Sequence, residues 1–145
     1  MRIRKTTKED IRKIARLLMD EFSKPPFNEE TTISSVIKSL NFYFKIGKSF
    51  VAVEDKEIAG VVIFKIEQWW EAPVIIIEDL AVKEEFKKQK VGKNLINEVE
   101  EYATIIKAKA VCFTTHRKSS SLRFYTKQGY KVEKNKLFMR KEIVY

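Results

Sequence analysis

The sequence predicts a single α/β domain, and three observations carry the prediction. A β-branched apolar run from Val74 to Val82 reads as a buried strand, passes through a basic loop and turns into a helix at about Val91. Apolar residues recur at helical spacing in two stretches before it, and shorter strand-like runs bounded by polar turns lie between and after them. The chain of 145 residues is 44% hydrophobic, enough for one sizeable core, and it contains no repeat, linker or low-complexity tract.

In chain order, Arg2 to Lys5 is a short strand candidate, and Thr7 with Asp10 three residues on forms a capping-box variant that opens a helix. Ile11, Ile14, Ala15, Leu18 and Phe22 make one apolar stripe, which Pro25-Pro26 terminates. A second amphipathic helix follows on Ile33, Val36, Ile37, Leu40 and Phe44 and stops at Gly47. Phe50 to Val53 and Ile58 to Ile66 are strands joined by the polar hairpin connection Glu54 to Glu57, and Gly60 marks a bulge or a close contact. Trp69-Trp70 then sits in a turn, as a lid over the core edge or a wall for a ligand or partner. Past the basic loop, Val91, Leu95, Val99, Tyr102, Ala103 and Ile106 line one face of a long helix. Ala110 to Thr115 is another strand, and Ser119 or Ser120 caps a short helix that runs through Gln128 and ends at Gly129. Tyr130 to Val132 and Lys136 to Ile143 read as two closing strands.

Composition narrows the partners. Lys plus Arg is 29 against 20 for Asp plus Glu, and the net charge of +9 favours an anionic partner. One cysteine, Cys112, allows neither an intrachain disulfide nor a cysteine-based zinc cluster and suits a reducing compartment. No signal-peptide core and no apolar run of membrane-spanning length is visible, so a cytoplasmic protein is expected.

The basic loop has the makings of an anion site. At a helix N-terminus the first backbone N–H groups lack intrahelical partners and the dipole is positive. Gly92 removes a Cβ where a phosphate needs close approach, and Lys87, Lys88, Lys90 and Lys93 add long-range attraction. Gln89-Lys90-Val91-Gly92-Lys93-Asn94, after a strand ending Glu-Asp-Leu-Ala-Val, resembles the Gln/Arg-x-x-Gly-x-Gly/Ala loop of the GNAT superfamily of acyl-coenzyme A-dependent N-acetyltransferases. Asn94 departs from that pattern, standing where the family has Gly or Ala. A second match, Ser121-Leu122-Arg123-Phe124-Tyr125 through Gly129-Tyr130, resembles the family's Ala/Ser-x-x-Phe-Tyr-x-x-x-Gly-Phe/Tyr segment. Lys118 stands where the family has Asn.

The resemblance implies a mixed, mostly antiparallel sheet with helices on both faces, splayed between the strands at Ile75 to Val82 and Ala110 to Thr115. It implies acetyl-coenzyme A as cosubstrate, held by Leu80, Ala81 and Val82 along the strand and by Lys87, Lys88, Gln89, Lys90, Val91, Gly92, Lys93 and Asn94 at the loop. Lys118, Ser121, Phe124 and Tyr125 complete that set. Tyr125 is the expected general acid, since a phenol stays protonated at neutral pH and has a proton to give to a departing thiolate. The Glu-Asp-x-x-Val pattern is similar to that of the spermidine/spermine acetyltransferase branch and suggests Glu78 as base, with side-chain alternation sending Glu78 and Asp79 to opposite faces. The backbone N–H of Leu80 matches the position that polarises the thioester carbonyl. Phe27, Phe42 and Tyr43 fall where the family borders its acceptor site.

The expected activity is therefore acetyl transfer to a primary amine, small molecule or protein, in a ternary complex, and a homodimer is compatible with it. A membrane partner is not expected, nor is nucleic acid within the enzyme reading. The rival reading is a coenzyme A-responsive or nucleic-acid-binding module on the same fold, without turnover. His116, the sole histidine, has no companion ligands for a metal and is read as a surface residue near a strand end. Neither a P-loop nor a Gly-x-Ser-x-Gly elbow is present.

Overall fold

The computed structural model describes residues 1–145. Five strands, β1 (Arg2–Lys5), β2 (Gly47–Glu54), β3 (Glu57–Gln68), β4 (Pro73–Val82) and β5 (Ala110–Cys112), form one sheet in the order β1-β2-β3-β4-β5. Every pairing is antiparallel except β4 with β5. Four α-helices, α1 (Ile11–Phe22), α2 (Ile33–Ile46), α3 (Val91–Ile105) and α4 (Leu122–Lys127), complete the α/β domain. No helix is long and apolar enough to cross a membrane.

The helices divide between the two faces of the sheet. Ile14, Ala15, Leu17 and Leu18 of α1 and Leu40 of α2 bury against Val51, Val61 and Ile63. On the other face Val91, Leu95, Ile96 and Val99 of α3 bury against Phe50, Val62, Phe64, Ile75 and Ile77. The approach to α1 is held as the spacing predicts. Asp10 accepts the Thr7 N–H at 2.8 Å and takes both guanidinium nitrogens of Arg4 at 2.8 and 3.0 Å. That pairing keeps the Asp10 carboxyl below the usual carboxylate range.

The hairpin between β2 and β3 turns on Asp55 and Lys56, both left-handed at φ 48° and 66°, a two-residue geometry whose twist suits paired strands. Gly60 answers to both expectations. The register shifts beside it, where Ala52 faces Gly60 and Val53 faces Ile58. A Cβ on Gly60 would stand 2.9 Å from Val91 Cγ1, 3.0 Å from the Ala81 carbonyl oxygen and 3.1 Å from Leu95 Cδ1. The first turn of α3 therefore rests directly on the strand backbone. Gly60→Ala is expected to overpack this contact and cost about 1–3 kcal/mol. Urea denaturation should show a lower midpoint at unchanged slope, and an unchanged midpoint would mean that α3 shifts freely.

Three expectations need correction. The strand from Ala110 stops at Cys112 rather than Thr115, because β5 pairs with β4 only through Ile76 and then separates from it. The short helix begins at Leu122 with Ser121 at its N-cap, and the buried Ser119 hydroxyl accepts the Ser121 N–H at 3.2 Å. The two closing strands do not form, and no helix or strand follows Lys127. A strand is stabilised by cross-strand pairs, and the nearest free edge, β5, is only 3 residues long. Leu137, Phe138 and Met139 accordingly remain more than 79% exposed. Trp70 is fully exposed in its turn, whereas Trp69 is half-buried between the ammonium groups of Lys109 and Lys136, 5.4 and 5.0 Å from its ring.

Candidate active site

The separation of β4 from β5 opens the cleft that holds the site. Beyond the Ile76–Cys112 pair the two strands diverge, and Ile77 to Leu80 on one side face Phe113 to Thr115 on the other across a cavity of about 1070 Å³. Phe22 and Phe27, Ser35, Leu40, Ser121 and Tyr125 line it further.

A bulge in β4 sets the chemistry of the near wall. Ile63 pairs with Asp79 and Phe64 with Ile77, so Glu78 is the extra residue and has no opposite number. An extra residue resets the alternation, and Glu78 and Asp79 consequently both line the cleft instead of facing opposite sides. This corrects the expectation from simple alternation. Their surroundings differ. Glu78 is paired with Lys65 Nζ at 3.1 Å and accepts the Tyr43 hydroxyl at 3.5 Å. Asp79 takes part in no ion pair or side-chain hydrogen bond, and burial together with the neighbouring Glu78 charge pushes its carboxyl up to about 7.

Tyr125 stands on the far wall, on α4. Its ring packs against Phe113 at 4.4 Å and Phe124 at 5.2 Å, while its hydroxyl has no hydrogen-bond partner within the chain. Burial pushes the phenol up to about 12, so it remains protonated through the neutral range.

The loop expected to bind an anion leads into the start of α3. The first intrahelical bond runs from the Asn94 N–H to the Lys90 carbonyl at 3.0 Å, which leaves the N–H groups of Val91, Gly92 and Lys93 without acceptors. Lys88 and Lys90 are left-handed, at φ 72° and 63°, and turn the loop abruptly into the helix. The open side of Gly92 faces Phe124 Cζ at 3.5 Å and Val82 Cγ2 at 3.7 Å, so loop, strand and α4 meet there. Free amides around a position without a side chain fit a diphosphate.

Of the expected site residues, the cleft gathers Glu78, Asp79, Leu80, Ser121 and Tyr125, while Val82, Gly92 and Phe124 meet beside it. Ala81 is buried toward α1 and α2. Lys87 is drawn into ion pairs with Glu21 and Glu84, and the Gln89 amide bonds the Glu85 carbonyl at 3.3 Å. Lys118 is exposed, its backbone N–H donating to His116 Nδ1 at 3.0 Å. His116 is exposed as expected, but it also lines the cleft, edge-on to Phe27 at 6.0 Å. Sequence reasoning missed Asp20, Glu29 and Glu30, which reach the same cavity, and Lys65, the partner of Glu78. Their only signal was a set of carboxylates on unconnected segments.

Comparison with known proteins agrees with this geometry. The family model described as the acetyltransferase (GNAT) family matches residues 11–130. No curated protein sequence matches the chain. Among solved structures, a transcriptional regulator from Bacillus halodurans superposes with a TM-score of 0.79 at 21% identity, over 96% of this chain and 98% of that one. An aminoglycoside acetyltransferase from an uncultured soil metagenomic sample, in complex with trehalose, gives 0.76 at 22% identity, over 99% and 96%. The aminoglycoside antibiotic 6'-N-acetyltransferase of Acinetobacter haemolyticus gives 0.79 at 14% identity, over 99% and 100%. At these identities the structures speak for the fold alone.

Proposed function

This chain belongs to the acetyltransferase (GNAT) family, and on that premise we propose that it transfers an acetyl group from acetyl-coenzyme A to a primary amine while both are bound. The observation that carries the reading is the bulge at Glu78, which turns two carboxylates into a cleft shared with an unbonded tyrosine hydroxyl. Acetyl-coenzyme A, when bound, supplies the acyl group as an activated thioester. The free amides of Val91, Gly92 and Lys93 hold its diphosphate, and the stretch of β4 from Leu80 to Val82, paired with β3 on one side and beyond the end of the β5 pairing on the other, offers main-chain partners to its arm.

The acceptor arrives as an ammonium and has no lone pair until it loses a proton. Asp79 accepts that proton. Glu78, the base suggested by the resemblance, is engaged by Lys65 and Tyr43, and burial, with the Glu78 charge added to it, keeps Asp79 basic near neutrality. The Leu80 N–H donates to the carbonyl oxygen of the thioester as negative charge develops there. Tyr125 gives its proton to the departing sulfur.

Cofactor affinity tests the placement of the phosphates. Gly92→Leu is expected to raise the dissociation constant of coenzyme A at least about tenfold, equivalent to about 1.4 kcal/mol. Gly92→Ala should change it little, since a Cβ there meets only ordinary contacts. Calorimetric titration reads both, and equal affinities for all three proteins would place the diphosphate elsewhere.

A further inference from the structure

The walls of the cleft carry a charge opposite to that of the protein. Asp20, Glu29, Glu30, Glu78 and Asp79 line it, and no lysine or arginine does, in a chain where Lys plus Arg is 29 against 20 for Asp plus Glu. The acidic residues are also largely uncompensated. Only Glu78 has a cation within ion-pair distance; Asp20, Glu29, Glu30 and Asp79 have none, although Glu21 and Glu84, close to some of them in sequence, are each paired with lysine.

The carboxylates come from three separate elements. Asp20 lies in the last turn of α1, Glu29 and Glu30 on the connection to α2, and Glu78 and Asp79 on β4. Only Glu78 and Asp79 are partly buried, whereas the other three are exposed at the rim. Phe22, Phe27 and Phe113 lie in the same walls and offer ring faces on which an ammonium or its methylene stem can rest. A single ammonium beside Asp79 leaves the rim charges unanswered.

Building on the transfer reaction proposed above, we propose that the acceptor is a small molecule bearing at least two positive charges, one amine reacting at Asp79 while a second is held by the rim carboxylates of Asp20, Glu29 and Glu30. The net positive charge of the chain repels such a molecule, and the cleft, lined by carboxylates without a lysine or arginine, attracts it locally. The distal charge acts by lowering KM and by presenting the near amine to the thioester.

The test compares propylamine, 1,3-diaminopropane, 1,4-diaminobutane and a linear triamine as acceptors for the full chain, with acetyl-coenzyme A saturating and thiol release as readout. The expected kcat/KM is at least about tenfold higher for the better diamine than for propylamine, and higher again for the triamine. That ratio should fall toward one in the double variant Glu29→Gln, Glu30→Gln, and shrink as salt screens the rim. Calorimetry without coenzyme should show the same order of affinities and the same loss in the variant. A ratio near one in the unsubstituted protein, or a lysine peptide that outperforms the triamine, overturns the inference and leaves acetyl transfer standing. Triamine binding that depends on Glu29 and Glu30, with no thiol release from any amine, removes the transfer reaction and with it the acceptor role, leaving the cleft as a binding site for polycations.

Discussion

Replacing Asp79 with asparagine is expected to lower kcat/KM at least about 100-fold at pH 7, the ordinary range for a lost general base. The pH dependence identifies the role. With Asp79 at about 7, activity should rise through neutrality as its carboxyl ionises, and Asp79→Asn should lose that rise. Stability should move the other way. The native carboxyl holds its proton up to about 7, whereas the unfolded chain releases it near the ordinary value of about 3.9. Between those values the native state binds more protons than the unfolded state, so this group's contribution to stability falls as pH rises. Asparagine carries no charge to bury. The variant should therefore be more stable than the unsubstituted protein at pH 8, by up to about 4 kcal/mol, with the difference shrinking toward pH 4. Thermal unfolding at the two pH values measures this. A variant that is destabilised at pH 8, or one that keeps its pH profile, would return the base role to Glu78 or to water.

The second large effect is expected at Tyr125. Tyr125→Phe should reduce kcat by about 10²–10³-fold while coenzyme affinity and stability hold. The ring contacts with Phe113 and Phe124 survive the change, and the hydroxyl removed has no partner in the chain whose loss would weaken the fold. Single-turnover thiol release separates this from a binding defect. Because burial holds the phenol at about 12, its ionisation should produce no falling limb below about pH 10. Unchanged turnover in the variant would remove the acid role and leave Tyr125 as a packing residue.

Much of this was legible in the sequence because it depends on neighbours along the chain. Helical spacing identified the stripes of α1, α2 and α3, the Thr7 to Asp10 spacing identified the turn into α1, and Gly92 at a helix start identified the amides left without acceptors. Each of these follows from a local rule, a period or a cap, that the backbone obeys wherever the rest of the fold lies.

What the tertiary structure alone decided was the sense of the paired carboxylates and the charge of the cleft. Alternation assigned Glu78 and Asp79 to opposite faces, and only pairing with β3 placed a bulge that turned both inward. The acidic rim arises because α1, its connection to α2 and β4 converge, bringing together residues about 50 positions apart in the chain. The closing strands failed for the same reason, since a strand exists only with an edge to pair against and β5 separates too early to supply one. Periodicity specifies which face a residue takes within its own element; register and convergence specify which faces meet, and those are properties of the assembled sheet.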